Sequence, residues 1–156
     1  MERIWLKSYP PGVPADIDPN QYRSLVELFD ASIREYAERP AYHSMGKTIS
    51  FAELERLSRA FGAWLQAKGL AKGARVALMM PNCLQFPIAM FGALRAGCTV
   101  VNVNPLYTPR EIEHQLKDSG AEVIVILENF ASVLQQVKSR TPVKHVVVTS
   151  LGEMLG

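Results

Sequence analysis

Between residues 75 and 149 the chain repeats one pattern: a short apolar run, a longer segment with helical spacing, then another apolar run. The runs fall at residues 75–80, 98–103, 121–127 and 145–149, and Val76-Ala77-Leu78-Met79-Met80 is apolar throughout. A strand that is apolar at every position has no face to offer water and must be covered on both sides. The segments between, residues 83–96, 109–119 and 130–139, are long enough to carry parallel crossovers. The pattern predicts an α/β fold: a mostly parallel sheet with covering helices.

The second run leads into V-N-V-N-P-L-Y-T-P-R-E, residues 101–111. Asn104 and Pro105 stop the strand, Thr108 stands at a helix N-cap, Pro109 takes the first helical position and Glu111 follows the cap by three residues. That is a complete capping box, with proline where its missing N–H costs nothing. Gly97 and Gly120 end the helices on either side of this run.

Ahead of the alternating part lies a helix–hairpin–helix unit. Ser24 and Glu27 open a first helix, with Leu25, Leu28, Phe29, Ile33 and Tyr36 at helical spacing up to Arg39, and Pro40 ends it. Residues 41–44 and 48–49 flank Met45-Gly46-Lys47 as a hairpin. Ser50 and Glu53 open a second helix whose face is Phe51, Leu54, Leu57, Phe61, Trp64 and Leu65, closed by Gly69. Residues 1–23 form an extended N-terminal arm, because Pro10, Pro11, Pro14 and Pro19 exclude a continuous helix. Its Trp5 and Tyr9 are anchors, either for docking on its own domain, the plainer reading, or for docking on a second subunit.

Bulk properties exclude several classes. The net charge is +2 with basic residues scattered, so no nucleic-acid surface is expected. Cys83 and Cys98 make neither a disulfide framework nor a metal cluster, which fits a reducing compartment. No opening signal peptide and no membrane-length apolar stretch is present, so the expectation is a soluble cytoplasmic protein, with contact at the inner face of the membrane left open. Phosphate-binding glycine loops, a G-x-S-x-G elbow and H-E-x-x-H are absent. Among single residues, Cys83 near a helix start has the position of an activated thiol, but no histidine is close in sequence, so a packed core residue is the better reading. Cys98 reads as core, Glu111 with His114 as a solvated pair, and His43 and His145 have no ligand partners at metal spacing. Met79, Met80, Phe86, Met90, Phe91 and Leu94 read as core rather than ligand pocket. The loop at residues 102–108, at a strand's carboxyl end, is the best candidate to approach a site, although its complete capping favours a plain connector.

Three stretches together resemble the N-terminal part of adenylate-forming acyl-CoA synthetases: G-K-T-I-S-F-A-E-L at residues 46–54, R-V-A-L-M-M-P-N-C-L-Q-F-P-I-A-M-F-G-A-L-R-A-G at residues 75–97, and V-V-N-V-N-P-L-Y-T-P-R-E-I-E-H-Q-L-K-D-S-G-A at residues 100–121. W-L-K-S-Y-P-P-G-V-P at residues 5–14, E-N-F-A at 128–131 and V-K-H-V-V-V-T at 143–149 are similar to the bacterial long-chain fatty-acid–CoA ligases within that superfamily. The resemblance implies a parent enzyme that joins a fatty acid to ATP as an acyl-adenylate and passes the acyl group to CoA. Its partners would be fatty acid, ATP with Mg, CoA and the remainder of its own polypeptide, with homodimerisation left open.

It also implies that residues 24–156 are an incomplete N-terminal α/β subdomain, part of a larger N-terminal domain, and that the chain is an inactive fragment. The family's phosphate loop, its acyl tunnel and its catalytic lysine lie downstream, so no catalytic, cofactor-binding or metal residue is placed on this chain. Another acid–CoA ligase, an adenylation domain, or a stand-alone α/β binding or scaffold module remain the alternatives.

Overall fold

A computed structural model describes residues 2–155. The helix–hairpin–helix unit comes first. Ser24 caps α1 (Leu25–Tyr36) by accepting the Glu27 N–H. The Glu27 carboxylate reaches the Arg23 N–H at 2.7 Å, one residue upstream of the cap, so the expected box closes around Arg23 instead of Ser24. The helix ends at Tyr36 rather than Arg39. The reason is tertiary: the carbonyls of Ala37 and Arg39 accept the N–H groups of Ala52 and Phe51, the first residues of the next helix.

Strands β1 (Pro40–Ser44) and β2 (Lys47–Ser50) pair antiparallel. The turn is two residues, not three, with Met45 and Gly46 at φ of 49° and 84°. Two successive left-handed residues match the right-handed twist of a hairpin, which draws Lys47 into the ladder. Ser50 then caps α2 (Phe51–Ala67).

The main sheet is wholly parallel. Its strands are β3 (Arg75–Met79), β4 (Thr99–Asn102), β5 (Val123–Leu127) and β6 (His145–Thr149), each within a residue or two of the expected bounds, in the order β4-β3-β5-β6. Strand periodicity splits the core in two. Val76, Leu78, Val123 and Val125 face α2 and α3 (Gln85–Arg95). Ala77, Met79, Ile124 and Ile126 face α4 (Pro109–Ser119) and α5 (Ala131–Gln135). Every residue of β5 is buried, as its composition demands.

The last helix is shorter than the expected 130–139. It begins without a side-chain cap, and Val137 leaves helical geometry at φ −125° to become fully buried. A 3-10 turn, Lys138–Arg140, completes the crossover.

Two contacts lock the layers. Helices α2 and α3 cross backbone to backbone: a methyl at Gly92 would stand 2.8 Å from the Ser58 carbonyl oxygen, and one at Gly62 would stand 3.0 Å from that of Gly92. On the other face, the Arg75 guanidinium donates to the carbonyls of Ser119 and Gly120 at 2.8 and 3.0 Å. A cation thus closes the carboxyl end of α4, where the helix dipole favours it.

Replacing Gly92 with alanine is expected to destabilise the protein by about 2 kcal/mol, because overpacking against backbone outweighs about 1 kcal/mol of helix propensity. Gly152→Ala, with only the Ser150 hydroxyl at 3.9 Å, serves as the near-neutral control in the same urea titration. Equal midpoints for the two variants would remove the crossing argument.

A second expectation concerns acid. The Arg140 and Lys117 side chains hold the Glu113 carboxyl at about 2, below its ordinary 4.5. A depressed folded-state value gives a contribution present above about 4.5 and lost as pH falls towards 2. The midpoint difference between the native protein and Glu113→Gln should therefore be largest at neutral pH and vanish near the bottom of that range.

Candidate functional site

Parallel sheets present ligands outside the carboxyl ends of their strands, at the point where successive connections leave in opposite directions. Here that point lies between β3 and β5. The chain leaves β3 toward α3 on one face and leaves β5 toward α5 on the other. The rim of the crevice consists of Pro81 and Asn82 after β3 and Glu128 and Asn129 after β5, all exposed. The loop at residues 102–108 instead follows β4, an edge strand one position away from the switch. Strand order decides this, and strand order is not written in local sequence.

That loop is nonetheless well built. The Asn104 side chain accepts the Leu106 N–H at 3.0 Å, and the Gln115 amide donates to the Asn102 carbonyl at 2.9 Å. The Glu111 carboxylate accepts both the N–H and the hydroxyl of Thr108, which holds its pKa below the ordinary carboxylate value. Glu111 is therefore committed to its cap. His114 shares only an open hollow with it, together with Thr108 and Arg110.

Beside the switch point the hairpin leans on the start of α3. Tyr42, His43 and Ser44 close a cleft of about 160 Å³ with Asn82, Cys83, Leu84, Phe86 and Pro87. His43 and Cys83, forty residues apart in sequence, meet in one cleft, a neighbourhood that local reading misses because only the docking of the hairpin creates it. The chemistry remains quiet. Burial pushes the Cys83 thiol up, against the downward pull of the Phe86 and Gln85 N–H groups, and the His43 Nδ1 is engaged with the Thr48 hydroxyl at 2.7 Å.

The position of Cys83 at a helix start does not activate it, because desolvation is the larger effect. Cys98 is likewise buried with its thiol pushed up by burial. His145 lies edge-on to Trp64, with ring centroids 6.3 Å apart. Met79 and Met80 are core, Phe86 and Met90 pack against it, Phe91 stacks on Phe29 at 3.8 Å, and Leu94 is half-buried.

The rim is held from below. The Gln85 amide donates to the Ser150 carbonyl at 2.6 Å, joining the start of α3 to the turn after β6. The Thr149 hydroxyl donates to the Glu153 carboxylate at 2.6 Å. Among the described residues no group of three or more His, Cys, Asp or Glu could hold a metal ion, and no helix is long and apolar enough to cross a membrane. The rim offers the exposed polar side chains of Asn82, Glu128 and Asn129, and the Cys83 thiol beside it is not activated.

Residues 29–155 match the AMP-binding enzyme family. The chain is 59% identical over 156 residues to a long-chain-fatty-acid–CoA ligase of Yersinia pestis, covering 99% of this chain and 28% of that protein. It is 34% identical over 154 residues to the Bacillus subtilis protein of the same description, with 99% and 27% covered. The chain thus spans little more than a quarter of the length of these curated relatives. Among solved structures, a long-chain-fatty-acid-CoA ligase from Archaeoglobus fulgidus superposes with a TM-score of 0.78 at 26% identity, over 94% of this chain and 32% of that one.

Alkylation tests the quiet thiol. Cys83 in a Cys98→Ala background should react with iodoacetamide at neutral pH about tenfold or more slowly than a free thiol. Reaction as fast as a small-molecule thiol at pH 7 would restore the activated reading.

Proposed function

Because this chain belongs to the AMP-binding enzyme family, we propose that the protein is a long-chain-fatty-acid–CoA ligase and that residues 24–156 serve as a supporting subdomain of its N-terminal part, preceded by the arm of residues 1–23. The observation that carries this is the end-to-end likeness to long-chain ligases, which includes the arm as well as the α/β layer. In the proposed reaction the fatty-acid carboxylate attacks the α-phosphorus of ATP and displaces pyrophosphate. The CoA thiolate then attacks the acyl carbon of the adenylate and displaces AMP.

The contribution of these residues is positioning. Both steps need reacting atoms held in line, and a wall of crossed helices and buried strands limits the drift of loops built on it. The glycines of the described residues stand at helix ends, turns and the α2–α3 crossing, which fits a supporting role. The Mg that accompanies ATP belongs to the same proposed reaction. A cytoplasmic location, with contact at the inner face of the membrane, fits an enzyme that takes soluble nucleotides and a lipid substrate.

The deciding assay measures AMP release. The protein expressed in full from its gene should release AMP only when palmitate, ATP and CoA are all present, and residues 1–156 alone should release none above background. AMP release with an aryl acid but not with palmitate would overturn the long-chain assignment. Turnover by residues 1–156 alone would overturn the placement of the chemistry elsewhere.

A further inference from the structure

The basic residues are scattered in the sequence, but the fold gathers a set of them at one end of the sheet. All four strands are parallel, so their amino ends lie together. Around those ends stand Lys68 after α2, Lys72 ahead of β3, Lys117 near the close of α4, Lys138 and Arg140 in the 3-10 turn, and Lys144 ahead of β6, all exposed. Lys72 lies beside Gly97, which leads toward β4. Lys68 stands over the Trp64 ring, and Trp64 meets His145, the first residue of β6.

Three acids share this end, Glu113, Asp118 and Glu122, but the ion pairs are layered. The Glu113 side chain is 21% exposed, and the Lys117 and Arg140 side chains that pair with it are 51% and 53% exposed. Glu122 is 26% exposed and its partner Lys144 65%. In each pair the carboxylate is recessed and the cation stands outside it, so anything approaching this end meets bases first. Among the described residues, Lys68, Lys72 and Lys138 have no carboxylate partner. Packing such cations against the rest of a longer polypeptide would carry the desolvation cost of unpaired charge, which keeps this end at the surface. The opposite end has the other balance: Glu111, Glu128 and Glu153 stand exposed there against Arg110 and the hairpin's Lys47. The N-terminal arm, whose Trp5 and Tyr9 stand exposed instead of docking on their own domain, is balanced at three charges of each sign and adds nothing to the attraction.

We infer that the amino end of the sheet is the face this protein lays on an anionic lipid surface. The bases come from both helical layers and from the lead-ins to the strands, all at one end of the strand axis. Such a spread suits a flat anionic leaflet, where each Lys or Arg near the surface adds its own attraction. Nucleic acid is met instead by a stripe of bases or an element that enters a groove. With the amino end on lipid, the carboxyl rim of the sheet turns toward water, the side from which soluble nucleotides arrive. This names the surface for the membrane contact proposed above and rests on that reading; its test involves no catalysis, so the ligase assignment and the docking face can fail separately.

Vesicle flotation of the protein expressed in full decides it, with two variants that change the net charge equally. One is Lys72→Glu with Lys138→Glu, at the amino end. The other is Lys47→Glu with Arg110→Glu, at the carboxyl end. All four side chains are exposed, so circular dichroism should match the native protein. The native protein should float with vesicles of phosphatidylglycerol and phosphatidylcholine but not with phosphatidylcholine alone, and raising salt from about 0.05 M to about 0.5 M should release it. The amino-end variant should bind about tenfold or more weakly, and the carboxyl-end variant should bind as the native protein does. Equal loss in both variants would mean that total charge acts and no face is selected, which overturns the proposal. So would a native protein that ignores anionic vesicles, or one that binds neutral vesicles equally well. Duplex DNA bound by a native protein that ignores the vesicles, and released by the amino-end variant, would assign the face to nucleic acid instead.

Discussion

The crossing of α2 and α3 at Gly62 and Gly92 is the contact on which the rest of this structure depends. With no side chain at either position, the two backbones approach to van der Waals distance, and Ser58 is buried completely at the same point. That closeness lays both helices flat on one face of the sheet, over Val76, Leu78, Val123 and Val125. It also fixes the hairpin, because α2 begins at Ser50, where β2 ends, and the first N–H groups of α2 bond back to the end of α1. A bulkier pair at the crossing would lift α3 from the sheet and carry the β3–α3 loop with it.

The opposite face is secured by polar rather than steric means. Arg75 leaves the foot of β3 to cap α4, and Glu113 ties α4 to the turn after α5 through Arg140. Gly120 suits this corner: its φ of 62° is left-handed, and a methyl group there would displace the Arg75 guanidinium from its carbonyls. Steric contact on one face and charged contact on the other tie both helical layers to the sheet. That is compatible with the supporting role proposed above. The quiet thiol of Cys83 and the committed carboxylate of Glu111 agree with this role.

Much of the fold is legible locally. The Thr108-Pro109 cap with Glu111 forms as the residue order requires, since all its partners lie within four residues of one another. β6 has the expected bounds, and the two-sided burial of β5 follows from five apolar residues in succession. The misreadings share a cause. α1 stops early because its carbonyls serve α2, α5 breaks because Val137 is drawn into the core, and the Cys83 neighbourhood depends on a hairpin forty residues upstream. In each case a distant part of the chain outbids a local preference.

The sequence by itself determined the fold class, the position of nearly every strand and cap, and the resemblance that family membership later established. Periodicity, capping and apolar runs are local physics, and they survive in a linear reading. Tertiary structure alone decided the strand order, and with it that the switch point lies between β3 and β5 instead of beside residues 102–108. It also decided that Trp5 and Tyr9 stand exposed rather than packed on residues 24–155. Strand order and docking depend on which buried surfaces fit one another across long separations, and no local pattern encodes that fit.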